Sequence, residues 1–284
     1  MAIGLIQRRQ GKWAESTANL EKAATLDPQN AKVLVNLASS YMALRNFEAA
    51  DKIVDRVSTI APQSFSTCAL KGYLAVAWKG DLGLAEKGFS SLSPESDAAG
   101  LTTWGRIWIL MWERRFPEAL AVVQNFHGET LSGYTTAASP KAFLEGMIYL
   151  YSGNKERAQS SFEQARTAAE KVVLEAPQDP ARHGQLGLIL AFLGQKQEAI
   201  TQGKRAVELL PESQDAFDGP QGITPLAQIY AWTGEHDEAF RLLDHLLVVP
   251  NGLTVPWVKL DPTWDPLRKD PRFQALIDKY AVNR

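Results

Sequence analysis

The side chains of this sequence that could do chemistry are few and scattered. Four histidines, His127, His183, His236 and His245, never pair across a His-Glu-x-x-His helix, the spacing that brings two imidazoles onto one zinc ion. The single cysteine, Cys68, excludes an intrachain disulfide and a cysteine-rich metal site, and a small buried thiol is its expected role. No Gly-x-x-x-x-Gly-Lys-Ser/Thr loop offers a cradle for nucleotide phosphates, and no Gly-x-Ser-x-Gly elbow offers a serine nucleophile. Asp261, Asp265 and Asp270 look like cation ligands, but each precedes a proline, the arrangement in which a carboxylate caps a helix with Pro in its first turn. No catalytic residue, metal or cofactor is therefore expected. The one recurrent chemical feature is aromatic. Trp104, Trp108 and Trp112 stand four apart and share one helical face whatever the register, and such a stripe can bind an apolar segment.

The whole chain sets the frame for that stripe. It has 284 residues, 45% of them hydrophobic and 22% charged, with a net charge of -2. That composition is ordinary for a folded domain, and the basic excess of a nucleic-acid binder is absent. No apolar run reaches the length of a membrane-spanning helix, and residues 1–10 lack the apolar core of a signal peptide. The run Ile107 to Trp112 is bracketed by Arg106, Glu113, Arg114 and Arg115 and reads as a buried helix. A cytoplasmic location is the expectation, with an extracytoplasmic one left open if a membrane span precedes this chain.

The elements that position the aromatics come from a repeat. A six-residue phrase, Gly or Arg first and a small residue sixth, begins at Gly11, Arg45, Gly80, Arg114, Gly153, Gly194 and Gly234. Successive starts lie 34, 35, 34, 39, 41 and 40 residues apart, the period of stacked helix pairs. The sixth copy shows why. Leu186, Leu190 and Gly194 mark one face of a helix, and glycine accepts the left-handed backbone of a helix exit. Ala199, Gly203 and Ala206 then form the small-residue face of a second helix, which Pro211 ends.

These residues resemble the tetratricopeptide repeat. Gly187, Leu190, Gly194, Ala199, Ala206 and Pro211 fit its pattern; so do Ala38, Tyr41, Phe47, Ala50 and Pro62, and Ala227, Tyr230, Gly234, Ala239 and Pro250. The resemblance covers residues 1–250. It implies an all-α, right-handed superhelical solenoid of about seven helix pairs. The first unit starts about four residues into its first helix, so an array extending upstream of this chain is expected. Residues 127–140 read as a long loop, 154–175 as an extended second helix, and 215–222 as an inserted loop.

After Pro250 the helical period is lost. Residues 251–257 read as extended, and 251–284 as an extended linker and a C-terminal capping helix on which Phe273, Leu276, Ile277 and Tyr280 share a face. Leu260-Asp261-Pro262, Trp264-Asp265-Pro266-Leu267-Arg268 and Asp270-Pro271-Arg272-Phe273 resemble the C-terminal repeat region of bacterial multidomain signalling proteins. In that group a serine/threonine kinase, an adenylate cyclase or a winged-helix domain precedes the repeats, and none of these is visible here.

The tetratricopeptide pattern turns the first helix of each pair inward. Applied here, it predicts a concave groove lined by Trp78, Trp104, Trp108, Met111, Trp112, Phe143, Met147, Tyr151, Phe192 and Trp232. The family's clamp for a C-terminal carboxylate is not expected, because Met1, Leu5, Ser66 and Leu70 stand where Lys and Arg are needed around Asn36. The function expected is a non-enzymatic scaffold that binds a protein or peptide through the apolar groove. The alternatives are a regulatory domain for a small hydrophobic ligand and a self-association module.

Overall fold

The computed structural model describes residues 1–90, 92, 97, 99–133 and 138–281. Seven antiparallel helix pairs follow one another: α1 (Ala2–Arg9) with α2 (Trp13–Leu26), α3 (Ala31–Ala43) with α4 (Phe47–Ile60), α5 (Phe65–Lys79) with α6 (Leu82–Phe89), and α7 (Leu101–Trp112) with α8 (Phe116–Asn125). The series continues with α9 (Lys141–Tyr151) and α10 (Lys155–Glu175), α11 (Pro180–Phe192) and α12 (Lys196–Leu209), and α13 (Gly219–Trp232) and α14 (His236–Val248). The result is an all-α solenoid, as the repeat predicts.

The recurring phrase sits at each hairpin. All seven of its opening residues adopt positive φ, the left-handed exit that lets one helix end and the next return antiparallel. Side chains then start several of the second helices: Asn46 accepts from the Ala49 amide, Asp81 from Leu84 and Asn154 from Arg157. The small residues allow close packing within a pair. A Cβ on Gly187 would lie 3.0 Å from the Ala199 carbonyl oxygen, so α11 and α12 touch through backbone. Cys68 is wholly buried, as expected for a small core thiol.

Three sequence expectations need correction. The expected insertion over 215–222 is shorter, because Pro220 stands in the first turn of α13 and the helix already begins at Gly219. In the loop over 127–140, residues 134–137 lie outside the described residues; the rest carries two short strands, β1 (Thr130–Leu131) and β2 (Ser139–Pro140), paired antiparallel. The third correction concerns the tail. Val255, Pro256 and Trp257 are not extended but open a helix, α15 (Val255–Leu260), again with proline in the first turn. A 3-10 helix (Pro262–Leu267) and α16 (Pro271–Ala281) follow. Asp261 and Asp270 do cap, accepting from the Thr263 and Arg272 amides, whereas Asp265 turns outward to arginines.

The array curls until its ends meet. The Ala216 amide donates to the Arg9 carbonyl at 2.8 Å, Arg9 pairs with Asp215 and Asp218, and Phe217 lies beneath the Arg8 guanidinium and beside Trp13. Further along, Arg45 donates to the carbonyls of Leu246, Val248, Val249 and Leu253 at the end of α14. The segment ahead of the seventh pair therefore covers the open edge of the first.

The closure is expected to rest more on packing than on charge. Phe217→Ala should cost about 1–2 kcal/mol in urea unfolding, below the value of a fully buried Phe because the residue is only partly buried. Arg9→Ala should cost less than about 1 kcal/mol, since its side chain is 52% exposed. The reverse order would show that the ion pairs hold the seam.

Candidate functional site

Two walls of aromatic side chains flank the C-terminal segment. The first is carried by α7, where spacing alone places Trp104, Trp108 and Trp112 in a row with ring centroids 5.4 and 6.0 Å apart. The second is carried by α9, α11 and α13. There Phe192 lies 6.3 Å from Phe143 and 5.0 Å from Trp232, and Trp232 lies 6.2 Å from Tyr151. Offset and edge-on arrangements of this kind are the favourable ones for aromatic pairs.

The space between the walls holds the protein's own C-terminal segment. Trp257 stacks on Tyr73 of α5 at 5.8 Å and meets Trp112 edge-on at 5.1 Å. On the far wall the Trp232 indole N–H donates to the Thr263 carbonyl at 2.8 Å, and the Tyr151 hydroxyl lies 3.3 Å from that of Thr263. Arg114 grips Asp265 with two parallel bonds of 2.9 and 3.0 Å, and Arg268 adds a third at 2.7 Å. Beyond this point Trp264 is wholly buried in a core shared by α13, α14 and the tail, and α16 packs along α14.

Comparison with known proteins agrees with this architecture. Family profiles described as Tetratricopeptide repeat match residues 7–69 and 143–214. Both stretches are tetratricopeptide repeats. A tetratricopeptide repeat protein from Parabacteroides merdae is similar over 79% of this chain and 80% of its own, with 18% identity and a TM-score of 0.54. The APC/C hetero-tetramer Cut9-Hcn1 is similar over 97% of this chain at 16% identity and a TM-score of 0.50; this chain covers 49% of that one. These likenesses concern the fold. No curated protein matches the sequence. Tetratricopeptide arrays as a class are protein-interaction modules and scaffolds.

Within this tetratricopeptide array the ten predicted groove residues divide evenly. Trp104, Met111, Trp112, Phe143 and Met147 are buried. Met111 and Met147 in particular belong to the core between neighbouring pairs and do not line a groove, because a helix packed on both flanks turns most of its apolar positions to its neighbours. Trp78, Trp108, Tyr151, Phe192 and Trp232 are half-buried. Of these, Tyr151 and Trp232 hold the tail, and Trp78 stacks on Phe47 away from the tryptophan row. Trp108 differs from them all: its ring is partly exposed, yet its indole N–H is buried and finds no partner among the described residues.

The residues that sequence reasoning missed are Tyr73, Trp257, Arg45 and Arg114. A signal for the last two existed. They open the phrase in the two copies that lack glycine, and both adopt the left-handed backbone, with φ of 58° and 60°. A side chain there costs about 1–2 kcal/mol. Both side chains reach the C-terminal part of the chain, Arg45 at the end of α14 and Arg114 at Asp265.

Electrostatics distinguish two tail carboxylates. Burial alone would raise Asp265, but hydrogen bonds from Arg114 and Arg268 outweigh it and hold the group below the usual range. Asp261 is 3% exposed, and burial pushes it up to about 6 despite the bonds from Thr263. Two of the four histidines take structural roles. His183 is buried between Gln202 and the Pro177 carbonyl, and His245 pairs with Glu212.

Two outcomes follow for the tail. Arg114→Ala keeps the left-handed strain and loses the partly exposed pair, and should cost about 1 kcal/mol or less; Arg114→Gly loses the same pair but relieves about 1–2 kcal/mol of strain, and should be at least as stable as wild type in chemical unfolding. Equal losses would show that no strain is stored there. Asp261 has a folded-state pKa above its unfolded value, so the penalty of ionising it in place is absent below about pH 4 and complete above about 6. Asp261→Asn should therefore raise stability at pH 7 and flatten the decline between pH 4 and 6. An unchanged profile would mean that Asp261 titrates as an exposed carboxylate.

Proposed function

We propose that this protein is a non-enzymatic interaction module, and that a protein or peptide segment docks on its concave side against Trp108. The observation that carries this reading is the tail itself. The concave surface accommodates a polypeptide segment anchored by aromatic rings, with Trp257 against Tyr73 and Trp112. Part of the aromatic surface is thus already used, and the docking surface available to a partner is narrower than the sequence suggests. Trp108 is its centre, because it combines partly exposed ring area with an unpartnered indole N–H that a turn of the side chain would bring to a partner's carbonyl. A segment laid alongside the tail meets the tryptophan row with the Arg114–Asp265 pair at its end, so apolar contact and a few hydrogen bonds carry the affinity.

The test uses the full chain as bait in quantitative pull-downs at matched fold stability. Trp108→Phe keeps an aromatic ring and drops the N–H, and should lower recovery of a specific partner about tenfold, the value of one buried hydrogen bond. Trp108→Ala should abolish it. Unchanged recovery with both variants would remove the concave surface as the docking site.

A further inference from the structure

A second candidate site lies at the seam where the two ends of the array meet. A cavity of about 200 Å³ opens between α4, α5, α14 and the tail. Phe47, Trp78 and Tyr280 give it aromatic walls, and α14 and α15 supply an aliphatic floor. Phe47 and Trp78 stack at 6.2 Å, so one wall is fixed in orientation. This site shares no residue with the Trp108 surface and stands or falls separately.

Three polar residues line the cavity. Thr254 is 2% exposed and lines it, and its hydroxyl finds no partner among the described residues. That hydroxyl does not cap α15, the helix it precedes, so the local fold gives it no work. A buried hydroxyl without a partner is rare and costly, and a ligand atom would satisfy it. Arg45 is the second group. Its guanidinium is bonded only to main-chain carbonyls and pairs with no carboxylate among the described residues. Burial lowers its pKa, in keeping with a charge partly removed from water. Glu48 is the third; it is exposed at the rim and opposes an anion. The cavity also lies at the start of α4, the positive end of that helix. Positive character therefore prevails beside Arg45, while Glu48 at the mouth and Asp244, which accepts from the Tyr280 hydroxyl, carry the negative charge.

We propose that this cavity binds a small aromatic carboxylate, its ring against Phe47, Trp78 and Tyr280 and its carboxylate accepting from the Thr254 hydroxyl beside Arg45. The volume lies below that of pockets for drug-sized molecules and limits the ligand to one ring or two fused rings. Such a ligand touches the second and third helix pairs on one side and α14 and the tail on the other. Binding would tie the two ends of the array together and stabilise the closed form by linkage.

The experiment is calorimetric titration of the full chain with indole-3-carboxylate, with neutral indole and cationic tryptamine as comparison probes. Saturable binding of the carboxylate is expected, at least about tenfold tighter than either comparison probe. Thr254→Val should raise the melting temperature of the unliganded protein, since it removes an unsatisfied hydroxyl, and should weaken carboxylate binding about tenfold. Glu48→Gln should tighten it. The proposal is overturned if the carboxylate does not saturate at millimolar concentration, if indole or tryptamine binds as tightly, or if Thr254→Val leaves the affinity unchanged.

Discussion

The C-terminal segment is held inside the array by burial rather than by charge, and the closed form of the solenoid depends on that. Trp264 has no exposed surface, and removing a buried tryptophan side chain costs about 3–5 kcal/mol. The charge on the other side of the comparison is small. Arg114 and Asp265 are 42% and 34% exposed, and a pair so placed contributes about 1 kcal/mol or less. Even after the cost of the Trp264 indole N–H, which finds no partner among the described residues, packing outweighs the ion pair. The arginines therefore fix where the tail lies, while the tryptophans decide that it stays.

Arg45 and Arg114 show how the repeat was adapted to this end. Every hairpin needs a left-handed residue, and five of the seven copies use glycine. In the other two, a strained side chain stands at the rim of the concave side, where it reaches the end of α14 and the tail. For Arg45 the gain is larger than for Arg114. Its four acceptors include late carbonyls of α14, which have no partner within that helix, and three of the four bonds are half-buried. The strain is offset by bonds that glycine cannot make.

Much of the architecture was legible in the sequence because a helix pair is a local object. The hairpin phrase and the small residues of α11 and α12 all act within a few residues of one another. The tryptophan row was legible for the same reason, since i,i+4 spacing fixes it without knowledge of the fold. The occupant of the concave side was not. Arg114 and Asp265 are 151 residues apart, and Arg45 and Leu253 are 208 apart, so no local pattern brings them together. Pro256 misled in a specific way: a proline after a glycine-containing turn reads as extended chain, yet it occupies the first turn of α15. The departure from glycine at positions 45 and 114 was the one trace of the closure visible in the sequence, and its meaning required the partners' positions.

Native-state hydrogen exchange tests the seating of the tail most directly. The amides of Val258, Asp261 and Trp264 donate to main-chain carbonyls inside the docked segment. If the segment is built into the array, these amides should exchange at rates close to those of α13 and α14, through opening of the same cooperative unit. Exchange as fast as in an unstructured peptide, while α13 and α14 remain protected, would contradict the account and return the concave side to an open groove.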